Sequence, residues 1–246
     1  MIASPRQINL GDASFRVTDD KDSFWDKACA GAWEPETLAA VRDLVDENTV
    51  FIDIGGWIGP ITLLAAAKGA TVLTFEPDPR AFELLSANVA ANPDLAKRIT
   101  LHNAAVSPTS DRVRLGSPRK PGDSMGSILE ADSGVALWDA AAITPLDIAA
   151  LAANAGRIVL KMDVEGAEYT LLPHLQTLLT ERTVAALIAF HPKLLAKAGH
   201  SPETIDRLTL DARTALGDYI LQSLDLDVPK GDISRIGNST VLLTRK

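Results

Sequence analysis

The chain has 246 residues, 46% of them hydrophobic, which suits one large domain with a real core better than two small ones. Its formal net charge is −8, and outside a short run at 117–122 (SPRKPG) it carries no basic cluster, which argues against a nucleic-acid partner. No stretch approaches the roughly 18 apolar residues of a membrane span, and the N-terminus lacks the charged-then-apolar pattern of a secretory signal, so a cytoplasmic chain with no membrane partner is expected.

In chain order, INLGDASFRV (8–17) reads as a small hairpin turning at Gly11-Asp12. Two helical stretches follow, at 22–31 and 35–46, separated by GAWEPE. The single cysteine, Cys29, excludes an intrachain disulfide and a cysteine-based metal cluster, and reads as a small buried apolar residue. From Val50 onward, strand-like runs at 50–54, 71–75, 99–103, 157–164, 184–190, 218–224 and 239–244 alternate with helical ones, the pattern of a mainly parallel sheet. Pro60 suits the first turn of the helix after the first of these strands, and Gly69 its end. Asp78 is an N-cap followed by a first-turn proline, and Phe82, Leu85 and Val89 then recur at helical spacing to face the sheet. The segment 105–145 breaks the rhythm; DRVRLG and GSILEA are expected to pair antiparallel within it. A helix at 201–216 leads into two last strands joined by the polar loop DLDVPKGDISRIGN (225–238), which predicts antiparallel pairing.

The stretch VFIDIGGWIGPIT (50–62) is a buried strand running through glycines into a helix, which gathers backbone N–H groups and the positive helix end at one spot. A P-loop would need Lys-Ser/Thr after the last glycine, where Pro60-Ile61 stand. A dinucleotide fingerprint would need glycine where Ile54 stands. Asp53, Gly55 and Gly59, with Gly56 between them, fit instead the relaxed D-x-G-x-x-x-G turn of S-adenosylmethionine enzymes, whose acid favours a cationic ligand group and would repel a pyrophosphate. Glu76, at the end of the second strand, is placed to accept hydrogen bonds from two ribose hydroxyls, as an acid at about this spacing does for dinucleotides. Asn103, in HNAAV at the end of the third strand, is placed to meet an adenine edge. Trp57 inside the turn offers a flat apolar wall with one N–H donor; it either narrows the site's mouth beneath a cover near Trp33, or simply packs on the 35–46 helix.

Taken together, FIDIGGWIGPITLLAAAKGATVLTFEPDPRAFELLSANV, LHNAAVS and IVLKMDVEGAEYTLL resemble the FkbM family of S-adenosylmethionine-dependent methyltransferases, over roughly residues 33 to 192. The resemblance implies an α/β fold of the class I methyltransferase (Rossmann-like) type: a doubly wound seven-stranded sheet with the last strand antiparallel. Here it would carry a small hairpin and helical cap at 1–48 before a cofactor-binding domain at 49–246. It implies S-adenosyl-L-methionine as cofactor and methyl transfer to a hydroxyl of a sugar, polyketide or other secondary metabolite, so a small-molecule or glycan acceptor. N-methylation and a non-catalytic adenosyl-binding or scaffold role are the alternatives. WEPET (33–37) looks like the element that relatives place over the cofactor, which puts Glu34 there, although a helix-start acid reads equally well. Two departures stand out: Trp57 where relatives commonly have asparagine, and Ala189 where many carry a glutamate.

An alcohol needs a base or a metal to become a good nucleophile at neutral pH. Lys161, Asp163 and Glu165 alternate along one strand and should share a face. Asp163 is the first candidate for base or hydroxyl orienter and Glu165 the second, with Glu168 beyond; Lys161 and Glu165 could instead form a structural ion pair. His191, after the fifth strand, titrates near neutrality and is the third catalytic candidate. These carboxylates with His191 would accept Mg²⁺, which the sequence does not require, so no metal residue is assigned. The first fifty residues would cap the site or form a homodimer interface.

Overall fold

The computed structural model describes residues 5–131, 135–217, 219–224 and 239–245. The predicted loop at 225–238 lies outside the described residues. Strands β1 (Arg6–Leu10) and β2 (Ala13–Val17) form the expected hairpin, with Gly11 at φ +66° in its two-residue turn. Its alternation buries Ile8, Leu10, Ala13, Phe15 and Val17 on one face. Helices α1 (Asp22–Cys29) and α2 (Pro35–Leu44) follow. Cys29 is exposed, contrary to its expected burial, because α1 turns Trp25 and Ala28 inward and leaves its last residue outside.

The main body then alternates β3 (Thr49–Ile54), α3 (Pro60–Ala67), β4 (Thr71–Phe75), α4 (Pro79–Ala90), α5 (Pro93–Ala96) and β5 (Ile99–His102). An insertion carries β6 (Ala105–Val106), β7 (Val113–Ser117), β8 (Ala136–Ala140) and β9 (Ala142–Ile143). The fold resumes with α6 (Pro145–Leu151), β10 (Arg157–Met162), α7 (Glu168–Leu171), β11 (Thr183–Phe190), α8 (Pro192–Lys197), α9 (Pro202–Ala215), β12 (Tyr219–Ser223) and β13 (Ser239–Arg245). Seven strands make one sheet in the order β12-β13-β11-β10-β3-β4-β5, and β13 alone runs opposite to the other six. This is the doubly wound sheet that the resemblance implied, with the last strand reversed.

Alternation along the buried strands splits the core into two layers. Ile52, Leu160 and Ile188 face α6, α7 and α9; Phe51, Val159 and Leu187 face α3, α4 and the hairpin side. Helix α3 (PITLLAAA) is apolar on nearly every side because it is sandwiched, with Pro60 through Ala66 all buried. Asp78 caps α4 as expected, its Oδ1 accepting from Arg80 N at 2.7 Å and Ala81 N at 3.1 Å.

The insertion corrects one expectation. DRVRLG pairs with Ala136–Ala140, while GSILEA makes a single bridge, Gly116 to Ser127, and then a short 3₁₀ turn capped by the Ser127 hydroxyl. That hydroxyl offers Leu129 N a local partner, which competes with continued strand pairing. Among the described residues, no helix is long and apolar enough to cross a membrane.

Candidate active site

Sheet order reverses between β3 and β10: from there β4 and β5 lie to one side and β11 to the other. Ligands of open α/β sheets sit beyond the carboxyl ends of strands at such a point. A cavity of about 360 Å³ opens there, its floor formed by Ile54, Gly55 and Gly56. One wall comes from Glu76 to Asp78 and Ala104 to Val106, the opposite one from Lys161 and Asp163 to Glu165, and α1 with Trp33 and Glu34 closes the top.

The glycine turn is built by close approach. Gly55 has φ +85°, and a Cβ there would sit 1.9 Å from the Asp163 carbonyl oxygen. Gly56 has Thr74 Oγ1 in the equivalent position at 2.3 Å. Gly55→Ala therefore combines a left-handed backbone penalty of about 1–2 kcal/mol with an overpacking cost of about 1–3 kcal/mol. A denaturant midpoint unchanged by this variant would show that the two strand ends are not held this tightly.

Asp53 does not line the cavity. It is completely buried; its Oδ2 accepts from Thr62 Oγ1 at 2.6 Å and its Oδ1 lies 3.4 Å from Lys161 Nζ. The same ammonium donates to the Gly55 carbonyl oxygen at 2.7 Å, so Asp53 and Lys161 clamp the turn from behind. Burial works against the Lys161 charge, but the carboxylates of Asp53, Asp163 and Glu34 outweigh it and hold the amine above the usual lysine range. The alternative pairing of Lys161 with Glu165 is replaced by this one, because β10 ends at Met162 and the chain then turns. Glu165 (φ +50°) and Gly166 (φ +101°) are both left-handed, which breaks the strand alternation expected to align Lys161, Asp163 and Glu165.

Glu76 faces the cavity with both oxygens engaged: Trp57 N donates to Oε2 and Asp78 N to Oε1, each at 2.8 Å. Burial pushes its carboxyl up to about 7, against the pull of those two N–H groups. Trp57 sits at φ +47°, and its indole N–H donates to the Gly122 carbonyl at 3.3 Å. The ring packs edge-on against Phe24 at 4.6 Å, and Phe24 packs in turn on Trp33 at 5.0 Å. Trp57 is thus part of an aromatic wall under the N-terminal cover. Lys21 seals the same corner, donating to Gly122 O at 3.1 Å and lying 5.9 Å above the indole.

Glu34 lines the cavity and is also the residue before α2, in a left-handed conformation at φ 40°. Gly59 is the left-handed entry to α3 at φ +95° and lies outside the wall. Asn103 is exposed, and its amide donates to the Glu76 carbonyl at 2.8 Å; the neighbouring wall is Ala104, Ala105 and Val106.

On the opposite side, His191 Nε2 lies 3.6 Å from Asp163 Oδ1 and 3.8 Å from Glu165 Oε2, while Nδ1 lies 3.4 Å from Glu168 Oε1. Asp163 and Glu165 belong to the cavity wall; His191 reaches it through them. Burial disfavours the imidazolium, but the three surrounding carboxylates override it and raise His191 to about 9. Burial and the Asp163 charge raise Glu165 to about 7. At neutral pH the ring is therefore already protonated, and the carboxylates are the groups able to take a proton. One ligand atom from each of Asp163, Glu165 and His191 falls within 4.8 Å of the others.

Several participants carried no sequence signal: Phe24 in an ordinary amphipathic helix, Gly122 at the end of the short basic run 117–122, and Thr62 inside an apolar helix. From LKMDVEGAE, by contrast, Lys161, Asp163, Val164, Glu165 and Ala167 line the cavity and Glu168 lies against His191, while Leu160 and Met162 point into the core.

A family model for the methyltransferase FkbM domain matches residues 53–216. The chain belongs to this family. No curated protein matches this FkbM-domain chain. Among solved structures it is similar to a SAM-dependent methyltransferase from Agrobacterium tumefaciens, at 11% identity and TM-score 0.47, covering 100% of this chain and 71% of that one. It is also similar to a TehB-like SAM-dependent methyltransferase from Corynebacterium glutamicum, at 13% identity and TM-score 0.45, covering 92% and 95%. A third is M. jannaschii TYW2 in complex with AdoMet, at 13% identity and TM-score 0.45, covering 99% and 88%. At these TM-scores the FkbM assignment rests on the family match, and the fold on the strand order.

Proposed function

We propose that this FkbM-domain protein transfers a methyl group from S-adenosylmethionine to a hydroxyl of a sugar, polyketide or other small-molecule acceptor. One observation carries the reading: a single cavity has a bare glycine floor and a ribose-type carboxylate on one side and proton-accepting carboxylates on the other. The fit to the cofactor rests on the Gly55-Gly56 backbone, which borders the cavity, and on the inward-facing Glu76. When bound, the cofactor supplies an electrophilic methyl group on a sulfonium. Glu76 would accept from the ribose hydroxyls, Ala104 to Val106 would wall the adenine side, and Glu34 would cover the top. Asp53, Gly59 and Asn103 serve this arrangement from outside the wall by holding the turn, the helix entry and the Glu76 backbone.

On the acceptor side, Asp163 receives the hydroxyl hydrogen bond and orients the oxygen; such positioning supplies up to about 7–11 kcal/mol of a displacement barrier. The hydroxyl proton passes to Asp163 or Glu165 as the oxygen attacks, and the imidazolium of His191 holds these carboxylates in place. Phe24, Trp33 and Trp57 exclude water from the mouth.

Calorimetric titration with S-adenosylmethionine, S-adenosylhomocysteine and NAD tests the cofactor. Binding of both adenosyl ligands at roughly micromolar Kd, with none by NAD, is expected; NAD alone would overturn the reading. Trp57→Gly relieves a left-handed conformation while removing the wall, so the expected result is unchanged or slightly higher stability with weaker adenosyl-ligand binding, by about tenfold. Unchanged affinity for ligand and acceptor would remove Trp57 from the site.

A further inference from the structure

Asp163, Glu165 and His191 stand on two segments that one buried group ties together. Glu168 has no exposed surface; its Oε2 accepts from Gly166 N at 2.8 Å and its Oε1 from His191 N at 2.6 Å. It thereby joins the β10–α7 loop, which carries Asp163 and Glu165, to the junction after β11, which carries His191. Ser127 Oγ donates to Glu165 O at 2.6 Å and holds the same loop from the inserted hairpin. Within this frame His191 Nε2 lies 3.6 Å from Asp163 Oδ1 and 3.8 Å from Glu165 Oε2, too far in both cases for a hydrogen bond. Asp163 Oδ1 is buried and accepts no hydrogen bond among the described residues, a costly state for a carboxylate oxygen. The same separations suit three atoms that share one ion. Metal–ligand distances of about 2.1 Å set neighbouring ligand atoms about 3.0–3.5 Å apart, and the two His191 distances exceed that by only a few tenths of an ångström. Charge points the same way. Asp163, Glu165 and Glu168 surround a single ring, so an imidazolium leaves two negative charges, whereas a neutral imidazole with a divalent ion leaves one.

We propose that Asp163 Oδ1, Glu165 Oε2 and His191 Nε2 form a binding site for one divalent transition-metal ion of the Mn²⁺ type. An imidazole nitrogen suits such an ion better than it suits Mg²⁺ or Ca²⁺, which take oxygen ligands, while two carboxylates make the site harder than a thiolate-rich zinc site. Three protein ligands leave coordination positions open. Asp163 and Glu165 line the cavity, so the open side faces it. An ion there supplies Lewis acidity to an oxygen arriving from the cavity. It takes over from the imidazolium the task of holding the two carboxylates, and the ring proton leaves to solvent as the ion enters. The use of the ion in methyl transfer rests on the reading above, whereas its binding does not.

The test follows Mn²⁺ by electron paramagnetic resonance as it is titrated into the full-length protein after EDTA treatment, since bound ions lose the sharp signal of the free ion. One ion per chain should bind, with a Kd of about 1–100 μM. Asp163→Asn, Glu165→Gln and His191→Gln should each weaken binding at least about tenfold. His191→Gln is the decisive variant. A loose cluster of acids would attract Mn²⁺ better once a protonated ring gives way to a neutral amide, whereas a ligated ion loses one of its ligands. Asp94→Asn, at an exposed acid outside the cavity wall, should change nothing. If His191→Gln does not fold, the native protein still reads the ligand directly, as imidazole nitrogen coupling in the pulsed spectrum of the bound ion. No binding below about 1 mM, binding that His191→Gln leaves unchanged or strengthens, or a bound ion without nitrogen coupling overturns the proposal. Calorimetry with S-adenosylhomocysteine in EDTA reads the cofactor without the ion, so loss of the methyltransferase reading and loss of this one are told apart.

Discussion

Asp53→Ala is expected to destabilise the protein by about 3–5 kcal/mol, the cost of leaving one buried charge without its partner. The carboxylate has no exposed surface and neutralises an ammonium that is itself only 7% exposed. Removing the acid strands the Lys161 charge and leaves Thr62 Oγ1 without its 2.6 Å acceptor. The glycine turn loosens at the same time, because the Lys161 bond to Gly55 O depends on where Asp53 holds the amine. Equilibrium unfolding in denaturant reads the loss as a fall in midpoint. The double variant Asp53→Ala with Lys161→Met should recover part of it, since no unpaired charge then remains in the core. A single variant within about 1 kcal/mol of the native chain would mean that the pair contributes little to the fold.

Glu76→Gln should cost adenosyl-ligand affinity at least about 100-fold, because hydrogen bonds to a charged acceptor contribute about 1.5–3 kcal/mol each and two ribose donors would lose theirs. Calorimetry with S-adenosylhomocysteine measures it, and a change below about threefold would remove Glu76 from the ligand. The pH dependence supplies a second reading. The Glu76 carboxyl is raised to about 7, and ribose hydroxyls need the ionised form as acceptor. Affinity should therefore fall as pH drops below about 7, by up to about tenfold per unit, and the glutamine variant should lose this slope. Stability of the ligand-free protein runs the other way. Glu76 and Glu165 are both raised to about 7 in the fold, so the stability they contribute is present below the ordinary glutamate range and is lost as pH rises through 7. His191 extends that loss: its contribution is full below the ordinary histidine value and disappears as pH rises through about 9.

The central strands β3, β4, β10 and β11 were legible because they are buried apolar runs, and burial on both faces writes itself as continuous hydrophobic sequence. Helix starts were legible because Pro60, Asp78 and Pro79 act on their own backbone neighbours. The insertion was misread where local and nonlocal partners compete: Ser127 capping a turn is as compatible with GSILEA as a strand is, and only the arrival of Ala136–Ala140 beside β7 decides the pairing.

The candidate site divides along the same line. Gly55, Gly56, Glu76, Glu34, Asp163 and Glu165 were singled out from the chain and are gathered around one cavity. Asp53 was also singled out, for attraction of a cationic ligand, yet it faces Lys161, more than a hundred residues away in the chain. Sequence by itself determined the residue types, the glycine turn and the order of elements, since these depend on backbone sterics, capping and hydrophobic period within a few residues. Tertiary structure alone decided which charge faces which: that Lys161 serves Asp53 and not Glu165, that Phe24 meets Trp57, and that three carboxylates surround His191. Those pairings depend on the ångström-scale meeting of strand ends and loops, and Coulomb and hydrogen-bond energies fall off over a distance that sequence separation does not encode.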